Sequence, residues 1–177
     1  MTQMRTLSPL PPDERPRLTA LGLARLLPGV LIVAAGVWWA WLHVPALAAE
    51  SFWTDELISV GDATYDLIRM LKIQGADIHP PLHTFLLWLL QRLTQSASET
   101  TMRLPSLVAV ASGMTILGLA AWRRLGAWPA LVFMVLAMSS PLLAGFAGQA
   151  RPHPLSFGFV CLATSAWLFL LRPGRPD

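Results

Sequence analysis

Charge is what this sequence has least of. Only 13% of its 177 residues are Asp, Glu, Lys or Arg, where soluble domains carry roughly 25%. With 54% hydrophobic residues and a mean hydropathy of +0.53, an ordinary water-soluble domain is excluded. Cysteine is almost absent. The single Cys161 lies in an apolar segment, which excludes an intrachain disulfide or a cysteine metal cluster and is silent on the redox compartment. A concentrated basic patch is missing as well. The 13 Lys and Arg residues are scattered in ones and twos beside hydrophobic runs, despite a sequence pI near 10.0. That is how topology-setting charges sit at membrane edges, not how a phosphate-tracking surface is built, so nucleic acid is excluded as a partner.

Long apolar runs are abundant. A stretch of about 20 such residues spans a bilayer, and the chain has room for four or five. The expected fold is an all-α integral membrane bundle of 4–5 transmembrane helices, with an interfacial amphipathic helix in the first extracytoplasmic loop. Residues 1–25, rich in Pro and Arg, are expected as a mobile cytoplasmic tail. Residues 26–49 form the first transmembrane helix, with Trp38, Trp39, Trp41 and His43 marking its exit at the lipid boundary. Residues 50–79 form the extracytoplasmic loop, 80–171 the remaining membrane helices (with single helices at 104–122, 128–146 and 155–171), and 172–177 a tail. Whether residues 80–94 cross stays open. Arg123 and Arg124 fall on the cytoplasmic side only if they do not, whereas counting from Pro80 brings the helix nearer to crossing length.

Carboxylates are rare and unevenly placed. Six of the ten acids fall between Glu50 and Asp77. Residues 54–73 read as one helix lying on the membrane, with Thr54 as cap and Asp55 and Glu56 in its first turn, where the helix dipole favours acids. Asp55, Ser59, Asp62, Asp66 and Arg69 recur at helical spacing on one face; Leu57, Ile58, Tyr65, Ile68 and Leu71 occupy the other. A membrane protein that gathers its carboxylates into one loop places recognition or reaction there.

Four segments, in order, resemble a known family. Phe52-Trp53-Thr54-Asp55-Glu56 after the first membrane helix resembles the catalytic loop of GT-C glycosyltransferases, polytopic enzymes that use polyprenyl-phosphate sugars. Asp77-Ile-His79-Pro80-Pro81-Leu82-His83 is similar to the D-x-H-P-P-L-Y element of their protein-mannosyltransferase-like branch, glycosyltransferase family 39. Glu99 to Ser106, with Arg103-Leu104-Pro105, is similar to its E-x-x-x-R-L-P-S element. Ser140-Pro141 through Gln149-Ala150-Arg151-Pro152 resembles its S-P…E-A-R-x-Y-A-L segment. Four positions depart: His83 stands where the family has an aromatic such as Tyr, Gln149 where it has Glu, and His153-Pro154 where it has Tyr-Ala.

The resemblance implies the N-terminal module of an inverting, membrane-embedded transferase in a bacterial inner membrane. Its lipid-linked sugar donor would be a substrate, and no cofactor is expected; a metal site from Asp55, Asp77 and His79 is conceivable, but their spacing matches no known ligand pattern. Such chemistry needs a base for the acceptor hydroxyl and cations for the leaving phosphate. The resemblance assigns the base to Asp55, with Glu56 in support, and makes Asp77, His79, Arg103 and Arg151 substrate contacts. Family members run to several hundred residues, so membrane lipid, a polyprenyl-phosphate sugar and a second chain supplying a C-terminal half are the expected partners. The rival readings are a non-catalytic membrane subunit and a small translocator of lipid-linked sugars; neither needs a base at Asp55.

Overall fold

The computed structural model describes residues 15–77 and 80–171, with side chains from residue 26 onward. The described residues form an all-α bundle, as the apolar periodicity implies. Eight α-helices follow one another among them: α1 Arg15–His43, α2 Thr54–Asp62, α3 Leu67–Gly75, α4 Leu82–Thr94, α5 Glu99–Leu125, α6 Ala127–Met138, α7 Pro141–Ala147 and α8 Pro152–Leu170. A 3-10 turn, Pro45–Ala48, follows α1.

Helix α5 is the axis of the molecule. At 27 residues it is about 40 Å long at 1.5 Å per residue, and α1, α4, α6, α7 and α8 all pack on it. The tightest seam is with α8. A Cβ on Gly113 would lie 3.2 Å from the Gly158 Cα, and one on Gly158 would lie 3.2 Å from the Ala109 carbonyl oxygen. Lipid offers helices no hydrophobic reason to associate, so close backbone approach through small residues supplies the contact instead. The bundle's upper core collects Trp39, Leu47, Leu107, Val110, Met114 and Ala147.

Among the described residues three segments are long and apolar enough to cross a membrane, namely Leu26–Ala48, Glu99–Leu125 and Pro152–Leu170. The bent pair α6–α7 makes a fourth if it counts as one span. The chain is an integral membrane protein. Helix α4 has 13 residues, about 20 Å at 1.5 Å per residue, against a hydrocarbon core of about 30 Å.

Several local expectations change. Helix α1 begins at Arg15 rather than near Leu26. Trp39 is not a boundary anchor: it is buried, and its indole N–H donates to the Met138 carbonyl at 3.1 Å, while Trp38 and Trp41 stay exposed. The helix expected at 128–146 breaks at Ser139–Ser140, bending by 64°. There the Ser140 hydroxyl accepts the Leu143 N–H and Pro141 opens the new helix. Ser98 caps α5, which begins at Glu99 rather than at the expected 104.

The expected single helix at 54–73 is two helices. Asp66 is not a face residue but the cap of α3, its Oδ1 accepting the N–H groups of Ile68 and Arg69 at 3.1 Å each. A side chain that satisfies backbone donors in this way competes with a continuing helix. Trp88 of α4 fixes the break by donating to the Tyr65 carbonyl at 3.1 Å. Neither face of the expected pattern is the one that packs. Val60, Ala63 and Met70 are buried, whereas Leu57, Ile58, Ile68 and Leu71 are exposed. Val60 and Ala63 pack with Leu87, Met102 and Ala150, which fastens the loop to the bundle and leaves the exposed apolar row to the surroundings.

Candidate active site

The site starts from two adjacent acids. Successive helix residues point about 100° apart, at 3.6 residues per turn, so Asp55 and Glu56 cannot share a task. Glu56 turns into the protein and is wholly buried; Asp55 turns out and is 57% exposed.

Glu56 spends both carboxylate oxygens on bonds. Oε1 accepts Arg103 Nε at 2.9 Å and the Ala150 N–H at 2.6 Å; Oε2 accepts Arg103 Nη2 at 2.7 Å and the Trp53 N–H at 3.0 Å. The last of these bonds is half of a capping box, an N3 glutamate reaching back to the residue before its helix. Burial pushes the Glu56 carboxyl up, but the bonds from Arg103, Ala150 and Trp53 outweigh it and hold it below its ordinary 4.5.

Arg103 is buried as well and uses every donor it has. Besides Glu56, its Nη1 donates to the Leu47 and Glu50 carbonyls at 2.9 and 2.8 Å, and Nη2 to that of Ser51 at 3.2 Å. A guanidinium carries five N–H groups, so none is left for a phosphate in this arrangement. Phe52 packs against the same group, its ring centroid 5.3 Å from the guanidinium carbon. The pair thereby ties the end of α1, the start of α2, α5 and the α7–α8 connection to one point.

The neighbours of that anchor face the surface. Because Glu56 holds the Ala150 N–H, the next residues along, Asp55 and Arg151, meet each other: Arg151 Nη2 lies 2.8 Å from Asp55 Oδ2, with Arg151 34% exposed. This ion pair stands at one wall of an open cleft of ≈ 170 Å³ that Asp62, Gln74, Asp77, His83 and Thr84 also line. Asp77 is therefore brought to the site, and His79 lies outside the described residues. Among the described residues no group of three or more His, Cys, Asp or Glu is arranged to hold a metal ion.

Two features of the cleft escape the sequence reading. Gln74 Nε2 donates to Asp62 Oδ2 at 3.0 Å and its Oε1 accepts the Thr84 hydroxyl at 3.0 Å, a chain that links α2, α3 and α4. His83 is 3% exposed, and its Nε2 has no hydrogen-bond partner among the described residues. Burial and the nearby His153 push its pKa down to about 4, so the ring is neutral at pH 7. The sequence did hold a signal for it, since His83 and His153 are both departures from the family's pattern.

The sequence pattern of dolichyl-phosphate-mannose-protein mannosyltransferases matches residues 78–177, slightly more than half of the chain. Arg103 and Arg151 lie in the matched stretch, and Asp55 and Glu56 precede it. No curated protein and no solved structure matches the chain.

Proposed function

The chain belongs to the dolichyl-phosphate-mannose-protein mannosyltransferase family, membrane glycosyltransferases of the mannosyltransferase type, and within it we propose an inverting transfer from a polyprenyl-phosphate sugar to a hydroxyl. The observation that carries this reading is the Asp55–Arg151 pair. It is a carboxylate and a guanidinium 2.8 Å apart, both accessible, at a cleft on a membrane bundle, held in place by a buried pair one residue away.

Asp55 takes the acceptor's proton as its oxygen bonds to the anomeric carbon. The bond from that carbon to the phosphate oxygen breaks on the opposite side, and the polyprenyl phosphate leaves with the electron pair. Arg151, partly exposed, is the cation for that phosphate. Glu56 and Arg103 position the pair without touching substrate. The donor's lipid tail requires the site to open at a membrane surface. With the basic tail cytoplasmic, that surface is the extracytoplasmic face of a bacterial inner membrane, and α4 rests in the surface without crossing it.

The test uses host membranes containing this chain and its natural partners, supplied with labelled polyprenyl-phosphate mannose. Asp55→Asn keeps size and fold but cannot accept a proton, and general-base assistance is worth ~10²–10⁴-fold. Transfer should fall by that factor while donor binding survives. Transfer at the wild-type rate would remove Asp55 as the base. Membranes that bind no donor and transfer no sugar would favour the non-catalytic subunit.

A further inference from the structure

Among the described residues two polar side-chain atoms are buried without a partner, the Ser106 hydroxyl and His83 Nε2. Ser106 sits inside α5, in the bundle. His83 differs because it lines the cleft beside Asp55 and Arg151. A buried polar atom without a bond forfeits its hydration and gains nothing in return, so it calls for an explanation.

The surroundings of His83 narrow what would satisfy it. Among the described residues lining the cleft, Asp55 is engaged by Arg151 and Asp62 by Gln74, so the polar wall offers acceptors and amide donors. Neutral hydroxyls are welcome, because carboxylates and amides accept and donate to them readily. Ile58 and Pro152 add an apolar wall for the C–H face of a ring. A neutral imidazole carries one N–H and one lone pair, so by choice of tautomer Nε2 can donate to a hydroxyl or accept from one.

We propose that His83 and the Asp62–Gln74–Thr84 chain form a subsite for the hydroxyls of a pyranose ring, placing the sugar inward of Arg151 and its phosphate at Arg151. The inference rests on the transferase reading above and adds to it where the sugar lies and which residue discriminates it. The ring is either that of the lipid-linked donor or that of a free or acceptor glycoside, and the two are separable.

The experiment measures dissociation constants in nanodiscs formed from host membranes that hold the chain with its natural partners, for three probes: farnesyl phosphate, farnesyl-phosphate mannose and methyl mannoside. It compares wild type with His83→Phe and His83→Gln, after each variant's melting profile has been matched to wild type. One hydrogen bond of the usual strength changes affinity by about tenfold. Wild type should therefore bind farnesyl-phosphate mannose about tenfold more tightly than farnesyl phosphate. His83→Phe should erase that ratio without changing the affinity for farnesyl phosphate, and His83→Gln should keep part of it. The His83 ring ¹⁵N resonances should move with the mannosylated probe and not with farnesyl phosphate. A His83-dependent affinity for methyl mannoside instead assigns the subsite to the glycoside. Equal ratios in wild type and His83→Phe, with farnesyl phosphate still bound, would overturn the subsite alone. Failure of farnesyl phosphate to bind at all would overturn the transferase reading and the subsite with it.

Discussion

Replacing Glu56 by Gln should damage the fold, whereas replacing its neighbour Asp55 by Asn should leave the fold intact. Glu56→Gln preserves the shape of the side chain and removes only its charge. Arg103 then remains 2% exposed, its guanidinium facing a neutral amide in place of a carboxylate. The amide also points an NH₂ group at donors, so at least one of the Arg103, Ala150 and Trp53 contacts must break. Removing one member of a buried ion pair costs about 3–5 kcal/mol, because the remaining charge stays buried and uncompensated. The Asp55–Arg151 pair is partly solvated, and exposed pairs of this kind are worth only about 0–1 kcal/mol. The two substitutions remove the same charge from adjacent residues, so the difference between them reports the burial of Glu56 together with the hydrogen bonds that its carboxylate accepts.

The assay is thermal unfolding of the purified chain in one detergent, followed by circular dichroism and by loss of monomer on size exclusion. Glu56→Gln should melt far below wild type and Asp55→Asn close to it. A double-mutant cycle with Arg103→Gln gives an internal check. Once either partner is gone the other has little left to lose, so the double variant should cost clearly less than the sum of the singles, by about 0.5–3 kcal/mol. A Glu56→Gln protein that melts like wild type yet transfers no sugar would refute the anchor and move Glu56 into the chemistry. Additive costs in the cycle would show that the pair is not coupled.

Two further outcomes follow. Single cysteines at Ser51 and Asp62, in a Cys161→Ser background, should react with an impermeant thiol reagent in intact cells; labelling only after permeabilisation reverses the proposed topology. Acidification should destabilise the chain in two stages. His83 has a folded pKa of about 4 against an ordinary 6.5, so the unfolded chain binds more protons between those values. Its stability contribution is complete above pH 6.5 and is lost as pH falls toward 4, roughly 3 kcal/mol at about 1.36 kcal/mol per pH unit. Glu56, held below 4.5, contributes above that pH and loses its share only below it. A melting temperature that is flat from pH 7 to pH 4.5, or that falls equally in His83→Phe, would contradict the first stage.

The bundle was legible because lipid imposes a simple rule on sequence: a crossing helix must be long, apolar and internally hydrogen-bonded. The spans through Leu26, Glu99 and Pro152 therefore stood out from composition alone. The breaks did not. Asp66 and Ser140 each end one helix by capping the next, and at helical spacing a cap is indistinguishable from a face residue until the backbone turns. Trp39 illustrates the same limit, since an indole at a helix end anchors to the boundary or donates inward depending on whether a carbonyl, here that of Met138, waits opposite. His83 and Gln74 were less legible still, because the residues that give them meaning lie on other helices.

The division of labour between Asp55 and Glu56 shows what a sequence can carry even so. Both acids fit the first turn of a helix by the dipole argument, and that argument ranks neither. The arm length does. Glutamate at the third helical position reaches back to the N–H of the capping residue, which turns its carboxylate toward the chain entering the helix, and here that chain is wrapped around Arg103. Aspartate one residue earlier is too short for that reach and projects about 100° away, to the surface where Arg151 meets it. A buried four-bond carboxylate is a poor base, since taking a proton would cost it the guanidinium; a half-exposed one with a single ionic partner gives that partner up readily to a phosphate. The order Asp-Glu therefore suits the chemistry, and Glu-Asp would not: exchanging Asp55 and Glu56 keeps composition and charge but should lose both the anchor and the reaction.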